Sequence, residues 1–494
     1  MVTDRLTLSR MAILLTIGLA RGSSNMKLML ILSGIVVALT PAVLPVASAS
    51  AAAQTLRAKE IAAGYKAIFL CSDTFVAHMP EVTIDTDDLP GWRFKFDSWP
   101  TTIDHTTKSV SVRFDPRMPP RIAVWRRLLG CAQLPIGADR GVAALVPRLP
   151  RALVPPSLDH AAWPLGDADA MAQLPTGREA ALDALVAKAF DESTYGKRTK
   201  TSAVLILLDG RIVAERYALG MTMYTPQRTW SVAKSLGATL IGRAAELGRI
   251  KVSMPANIPQ WHHPGDPRAA ITINQLLRMN SGVWTDGPGN HTDSVYWGGA
   301  TVAQTSAVAP LEARPGSRFN YANNDFLLAT YSLMTTLGRH ALAFPFVQIL
   351  WPLGMTHTTP ETDWQGNYVM SSQVWMTARD LARLALLYEN DGVANGKRVL
   401  PKEWVHFVSS TSGAQPSNPN GWRYGAGFWV YGPRNGLPSG TFGMDGSRGQ
   451  YAIIAPSVKV IVIRRGFDPL GTRFDITRFT HDALDVLSGA VVRR

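Results

Sequence analysis

The segment from about residue 166 to the C terminus has strand patterns at both of its ends, which restricts how it can fold. The four patterns are residues 203–208, 212–217, 451–455 and 458–463. Asp209–Gly210 lies between the first two and supplies the positive φ values that a two-residue hairpin turn needs. Further helices are predicted over 178–190 and 474–491, and between the strand pairs. Strands drawn from both ends of one segment predict a single antiparallel sheet covered by helices, an α+β fold.

The 494-residue chain is longer than one hydrophobic core usually serves, so we expect more than one folding unit. Arg93–Phe96 and Ser109–Phe114 alternate between apolar and polar residues and predict strands of a small β-containing N-terminal domain, residues 54–165. A proline-rich passage over 145–164 favours an extended linker and sets the boundary. The second domain is then predicted over 166–494.

The N-terminal 53 residues have the pattern of an export signal. Met26–Lys27 leads into an apolar run over 28–47, and small-residue cleavage patterns follow it up to Ala53. We therefore predict that residues 1–53 are a signal peptide, with Met26 as an alternative start, and that the protein is periplasmic or secreted. The alternative is an uncleaved anchor, because about 20 apolar residues can span a bilayer.

The chain contains two cysteines, Cys71 and Cys131, and both lie in the part predicted to be exported. An even pair in an oxidising compartment predicts one disulfide, whereas the alternative is two buried thiols. Neither cysteine has a CxxC partner or a neighbouring histidine, which argues against metal or redox chemistry.

The net charge of +13 raises the question of a polyanionic partner. The 50 lysines and arginines are scattered, and no long basic run with interleaved aromatics is present. We therefore expect no nucleic-acid partner. A transient contact with the cell wall or a membrane surface is compatible with this charge.

Ser231 and Lys234 lie at the start of a predicted helix whose apolar stripe ends at Gly248. Three residues apart on a helix, they share one face. Burial would lower the pKa of the lysine, which could then take the hydroxyl proton or hold another base charged. The alternative is a serine N-cap with a solvated lysine. Ser24-x-x-Lys27 has the same spacing but lies at the signal peptide, so context rather than spacing singles out Ser231.

A second motif, Tyr321-x-Asn323, follows a Pro-Gly turn at Pro315–Gly316. A phenol near a cationic lysine ionises more readily and can act as a general base, while the amide can hydrogen-bond a substrate. Tyr388-Glu389-Asn390 has the same spacing but fits an ordinary helix end.

In this order the two motifs resemble those of the β-lactamase and penicillin-binding-protein superfamily of serine hydrolases. The branch that contains class C β-lactamases, carboxylesterases and 6-aminohexanoate-dimer hydrolases is the most similar. Four further stretches agree with that branch: 275–282, 352–355, 396–401 and 449–451. The resemblance implies an antiparallel sheet flanked by helices plus a helical subdomain. It also implies that Ser231 is acylated, that Lys234 and Tyr321 handle its proton, and that Asn323 holds the substrate.

The chain departs from the family at its third motif, Lys-Thr-Gly or His-x-Gly, which places a cation for the carboxylate of a β-lactam. Neither form is present after Tyr321, where the third motif would fall, and the candidates for this strand are 441–443 and 446–450. Backbone amides there can complete an oxyanion hole, with Gly449 and Gln450 as substrate contacts. Recognition of an anionic lactam is in doubt unless Arg448 replaces the missing cation.

These observations predict a serine hydrolase that cleaves an ester or amide in a small-molecule or peptide-like substrate. The alternatives are a β-lactamase or peptidoglycan DD-peptidase, and a catalytically silent wall-binding module. We expect no cofactor and no metal, because Walker A, HExxH and EF-hand patterns are absent and His262–His263 lacks ligand spacing. Five tryptophans could line an acyl pocket or pack loops: Trp261, Trp284, Trp297, Trp422 and Trp429.

Overall fold

The computed structural model describes residues 46–90, 99–285 and 292–488. Its helices are α1 Val46–Ser72, α2 Glu81–Thr83, α3 Thr176–Lys188, α4 Val232–Glu246, α5 Ile273–Leu277, α6 Asp293–Tyr296, α7 Asn323–Leu337, α8 Ala378–Glu389, α9 Trp404–Ser409 and α10 Ile476–Leu487. Its strands are β1 Thr101–Asp104, β2 Ser109–Val112, β3 Arg121–Arg126, β4 Gly130–Gln133, β5 Thr201–Leu208, β6 Arg211–Tyr217, β7 Gln227–Arg228, β8 Thr359–Pro360, β9 Val374–Met376, β10 Val393–Ala394, β11 Lys397–Arg398, β12 Arg423–Tyr424, β13 Trp429–Val430, β14 Phe442–Gly446, β15 Gln450–Ala455 and β16 Val460–Gly466. Short 3₁₀ and π turns occur in the connections.

The largest sheet has seven strands in the order β12-β13-β14-β15-β16-β5-β6, and every neighbouring pair is antiparallel. The predicted hairpin forms β5 and β6, and its turn residues Asp209 and Gly210 have φ values of 50° and 74°. Val460 lies opposite Leu208, so strands from the two ends of the segment pair within the sheet. The predicted α+β fold is confirmed.

Both faces of this sheet are covered by helices. In β5, Leu205 and Leu207 point into one core, which also contains residues of α4, α7 and α8. Val204 and Ile206 point into a second core with α3 and α10. Side chains alternate along a strand, so β5 is apolar from Ala203 to Leu208 because both of its faces are buried.

The helical part lies on the first of these faces. Helix α4 is buried along most of its length and packs against α7. It ends at Glu246, and Gly248 beyond it adopts a φ of 67°, as expected of a glycine that terminates a helix. Helix α4 packs against both α7 and strand β14 of the large sheet.

The N-terminal segment contains a separate four-stranded antiparallel sheet, β1-β2-β3-β4. The strand predicted over 109–114 is β2, whereas the one predicted over 93–96 lies outside the described residues. Phe69 of α1 shares a core with Trp230 and Trp375, which belong to the segment after residue 166. The domain boundary near residue 165 stays a prediction.

The predicted disulfide is confirmed: Cys71 at the end of α1 is bonded to Cys131 in β4, with Cα atoms 6.1 Å apart. Most of the predicted signal peptide, residues 1–45, lies outside the described residues, so its cleavage stays a prediction. In the described part of the chain, no helix has the length and apolar character required to cross a bilayer.

Candidate active site

Ser231 lies at the end of a tight turn that connects β7 to α4. Trp230, immediately before it, has a φ of 49°, a left-handed conformation that is unfavourable for a bulky residue. The turn is held by a hydrogen bond from the Thr229 amide to the Val374 carbonyl at 2.8 Å. The Trp230 ring is buried, with its centroid 5.9 Å from that of Phe69. Packing thus maintains a strained backbone that places Ser231 at the N-terminal end of α4.

The amine of Lys234 reaches three oxygens. Its Nζ lies 2.8 Å from Ser231 Oγ, 2.6 Å from Asn323 Oδ1 and 2.9 Å from the Ser371 carbonyl. The last two are carbonyl oxygens, which can only accept hydrogen bonds. A neutral amine therefore uses both hydrogens on them and directs its lone pair at the serine hydroxyl, whereas an ammonium donates to all three. The lysine can gain a proton without rearrangement.

The environment makes Lys234 a base suited to neutral pH. Its side chain is almost completely buried, and burial lowers its pKa from 10.5 to about 7, while the Asp445 carboxylate acts in the opposite direction. A general base is most effective when its pKa lies near the working pH.

Tyr321 lines the same cleft as Ser231. Lys234 Nζ lies 5.0 Å from the centroid of its ring, and the ring stacks on Trp429 with centroids 5.8 Å apart. Burial raises the pKa of the phenol above its usual value of 10, although the Ser231 hydroxyl acts in the opposite direction. The phenol is therefore protonated near neutral pH and suited to donate a proton, which favours Lys234 over Tyr321 as the base.

Asn323, at the start of α7, contacts the lysine. Its Oδ1 accepts from Lys234 Nζ, and its Nδ2 donates to Thr292 Oγ1 at 3.4 Å. The residue is buried, and the hydrogen bond to its amide oxygen orients the amine of Lys234. The structure thus brings Ser231, Lys234, Tyr321 and Asn323 together.

The strand beside Ser231 is β14, and its last residue is Gly446. A Cβ at Gly446 would lie 2.3 Å from the Thr229 carbonyl and 3.1 Å from the Ser231 amide nitrogen, so the close approach requires glycine. The candidate stretch 441–443 is buried inside the sheet, whereas 446–449 lines the cleft. Of the two candidates for the third motif, the second is therefore the one that borders the cleft.

Asp445 also lines this cleft and was missed by the sequence reasoning. Burial raises its pKa to about 7, with Arg473 and Lys234 acting in the opposite direction. Arg473 Nη2 lies 3.6 Å from Asp445 Oδ2. The sequence did contain one signal: Asp445 is a single acidic residue in an otherwise uncharged strand. Acidic residues are rarely buried without a partner, so this position could have been identified as a candidate functional residue.

Gly449 lines the cleft, but its neighbours Arg448 and Gln450 have other partners. Gln450 is 1% exposed; its amide donates to the Gly466 carbonyl and accepts from Arg465 Nε, both at 2.6 Å. Arg448 donates to Asp88 Oδ1 at 2.9 Å and to backbone carbonyls. With these bonds made, Gln450 has a structural role, and Arg448 does not replace the missing cation.

Three potential metal ligands approach one another elsewhere. Asp159, Asp167 and His357 offer atoms within 4.8 Å of one another. Asp167 is already paired with Arg379 and Arg383 at 3.2 and 2.8 Å, so its charge is balanced without an ion.

Of the five tryptophans, Trp429 lines the cleft, while Trp261 and Trp297 are buried in the cores.

Comparisons with known proteins identify the family and the fold. The Beta-lactamase family model matches residues 182–464, and the chain belongs to this family. A 6-aminohexanoate-dimer hydrolase from Paenarthrobacter ureafaciens is 26% identical over 307 residues, covering 57% of this chain and 76% of that protein.

Two solved structures share the fold. EstCE1, a hydrolase with promiscuous acyltransferase activity, has a TM-score of 0.52 and 17% identity, covering 64% of this chain and all of its own. A family VIII carboxylesterase has a TM-score of 0.51 and 16% identity, covering 63% and 98%.

Proposed function

We propose that this member of the β-lactamase family is a serine hydrolase that cleaves esters or linear amides through an acyl-enzyme on Ser231. The observation that carries the proposal is the bonding of Lys234, whose two carbonyl acceptors leave its lone pair for the serine hydroxyl. The 6-aminohexanoate-dimer hydrolase, a relative named for a linear substrate, supports the choice of bond.

In the acylation step, Ser231 Oγ bonds to the carbonyl carbon of the substrate and its proton passes to neutral Lys234. Backbone amides at the start of α4 and the end of β14 stabilise the oxyanion. The intermediate then expels an alcohol or amine, which takes a proton from Lys234 directly or by way of Tyr321. In deacylation, water bonds to the acyl carbon, Lys234 takes its proton, and Ser231 leaves with a proton restored.

The charges in the cleft favour esters and linear amides over anionic lactams. Asp445 lies near Ser231, and Arg448 is engaged by Asp88. A carboxylate on the substrate would therefore meet Asp445 and, of the two arginines that line the cleft, would have only the half-exposed Arg473 as a cationic partner. The alternatives, a β-lactamase or DD-peptidase and a silent module, are outcomes of the test below.

Labelling with a fluorophosphonate probe tests the nucleophile. We expect labelling of the wild type and of Ser457→Ala, an exposed serine in the β15–β16 connection, but not of Ser231→Ala. Equal labelling of all three proteins would refute the proposal. Steady-state turnover of a chromogenic cephalosporin faster than of nitrophenyl esters would favour the lactamase, and stoichiometric acylation without product release would indicate a silent module.

We also propose that the protein is exported to the periplasm or secreted. The signal-like pattern before residue 54 and the Cys71–Cys131 disulfide, which is typical of oxidising compartments, support this. Mass spectrometry of the protein from fractionated cells should find an N terminus between residues 48 and 54. A reduced protein in the cytosol that retains residues 26–47 would contradict export.

A further inference from the structure

The cleft beside Ser231 has a volume of about 290 Å³ and four charged side chains on its wall, two of which are fully engaged. Arg448 is bonded to Asp88. Asp468 accepts two hydrogen bonds from Arg464, at 2.7 and 2.8 Å, and both side chains are buried. Asp445 and Arg473 remain as the charges that a substrate would meet.

The Asp445–Arg473 pair is loose. Its closest atoms are 3.6 Å apart, beyond ordinary hydrogen-bonding distance, and the Arg473 side chain is half exposed while that of Asp445 is 18% exposed. The Arg473 guanidinium also lies 4.3 Å from the centroid of the Trp422 ring, which holds it to one side of the cleft. An exposed arginine is screened by water, so the more buried carboxylate exerts the stronger field on a bound substrate.

We propose that Asp445 is a specificity-determining residue that selects substrates with a cationic group near the scissile carbonyl and disfavours anionic ones. The inference rests on the proposed acyl hydrolase function and adds the charge of its substrate. A substrate cation would approach the Asp445 carboxylate from the cleft, and a substrate anion would be repelled there. The aromatic wall of Tyr321 and Trp429 would contact the apolar part of the same acyl chain.

A series of three nitrophenyl esters tests the inference. The acyl chains have equal length and end in trimethylammonium, tert-butyl or sulfonate, groups of similar size that differ in charge. We expect kcat/KM of the wild type, measured about one pH unit above the pKa of Asp445 so that its carboxyl group is ionised, to fall in that order. Asp445→Asn, which has nearly the same shape, should lower the ratio of kcat/KM for the cationic ester to that for the anionic ester about tenfold.

Two further variants control the result. Arg473→Gln should raise the same ratio, because it removes the opposing charge. Asp209→Asn removes one negative charge at the distant β5–β6 turn and should leave the ratio unchanged. The inference is overturned if Asp445→Asn keeps the wild-type ratio, if Arg473→Gln lowers it, or if Asp209→Asn changes it equally. Failure of the wild type to hydrolyse any ester, with no probe labelling of Ser231, would instead overturn the proposed function on which it rests.

Discussion

Arg448 donates a hydrogen bond to Asp88 at 2.9 Å, and both side chains are 4% exposed or less. Arg448 lies in the loop between β14 and β15 at the edge of the cleft, whereas Asp88 belongs to the N-terminal segment. A buried charge that loses its partner is costly, because the protein interior solvates it poorly. This pair thus links the N-terminal segment to the wall of the cleft beside Ser231.

Asp88→Asn should lower the free energy of unfolding by about 3 kcal/mol, because Arg448 would remain buried and charged without its counterion. Chemical denaturation measures this. Asp391→Asn provides a matched control: Asp391 pairs with Arg398 at 3.3 Å on the surface, and its loss should cost less than about 1 kcal/mol. Equal effects of the two substitutions would show that the buried pair does not stabilise the fold.

Lys234→Ala should reduce kcat by about 10²- to 10⁴-fold on a nitrophenyl ester, because the base is lost. Lys234→Arg should not restore activity, since a guanidinium stays protonated. The control is Lys459→Ala, because Lys459 is exposed in the β15–β16 connection and should be dispensable. An active arginine variant would rule out proton abstraction by residue 234.

The value of kcat/KM should rise with pH through about 7, as Lys234 loses its proton and becomes a base. Below this pH the amine is an ammonium and cannot accept the serine proton. In Asp445→Asn the rise should move to lower pH, because the carboxylate that stabilises the ammonium is absent, while Tyr321 and Arg473 remain around the site. A pH–rate profile that shifts upward, or stays in place, would contradict this assignment.

Gly446→Ala should lower kcat on the order of 10²-fold, because its Cβ would collide with the Thr229 carbonyl and displace the turn that carries Ser231. Gly432→Ala is the control, because no atom lies within 4 Å of the Cβ position there. Hydrolysis of a nitrophenyl ester, measured after confirming similar melting temperatures, distinguishes the two. Full activity of Gly446→Ala would show that the turn tolerates displacement.

The features that the sequence predicted correctly depend on short-range patterns. The β5–β6 hairpin follows from alternating residues around Asp209–Gly210, and α4 from its apolar spacing up to Gly248. The proximity of Ser231 and Lys234 follows from helix geometry. Such local signals carry over into the fold because each involves residues close along the chain.

The direction of side chains on the cleft loop was not available from the sequence. Arg448 points to Asp88, which is 360 residues away, and Gln450 points to Arg465, so distant partners decide their roles. Alternation of polar and apolar residues usually shows which face of a strand is exposed. The residues around Asp445 are Met444 and Gly446, and because glycine is neither clearly polar nor clearly apolar, the sequence does not show that Asp445 faces the cleft. The charges on this wall of the cleft could therefore be assigned only from the tertiary structure.

Strand β16 pairs with β5, although β5 is synthesised long before β16. Val460 and Leu208 are about 250 residues apart, and the turn at Ser231 is synthesised between them, well before β14, β15 and β16. Pairing over such a separation is slow, because a long loop must close first. The cleft beside Ser231, which β14 borders, consequently cannot be complete until the last strands of the sheet have been synthesised.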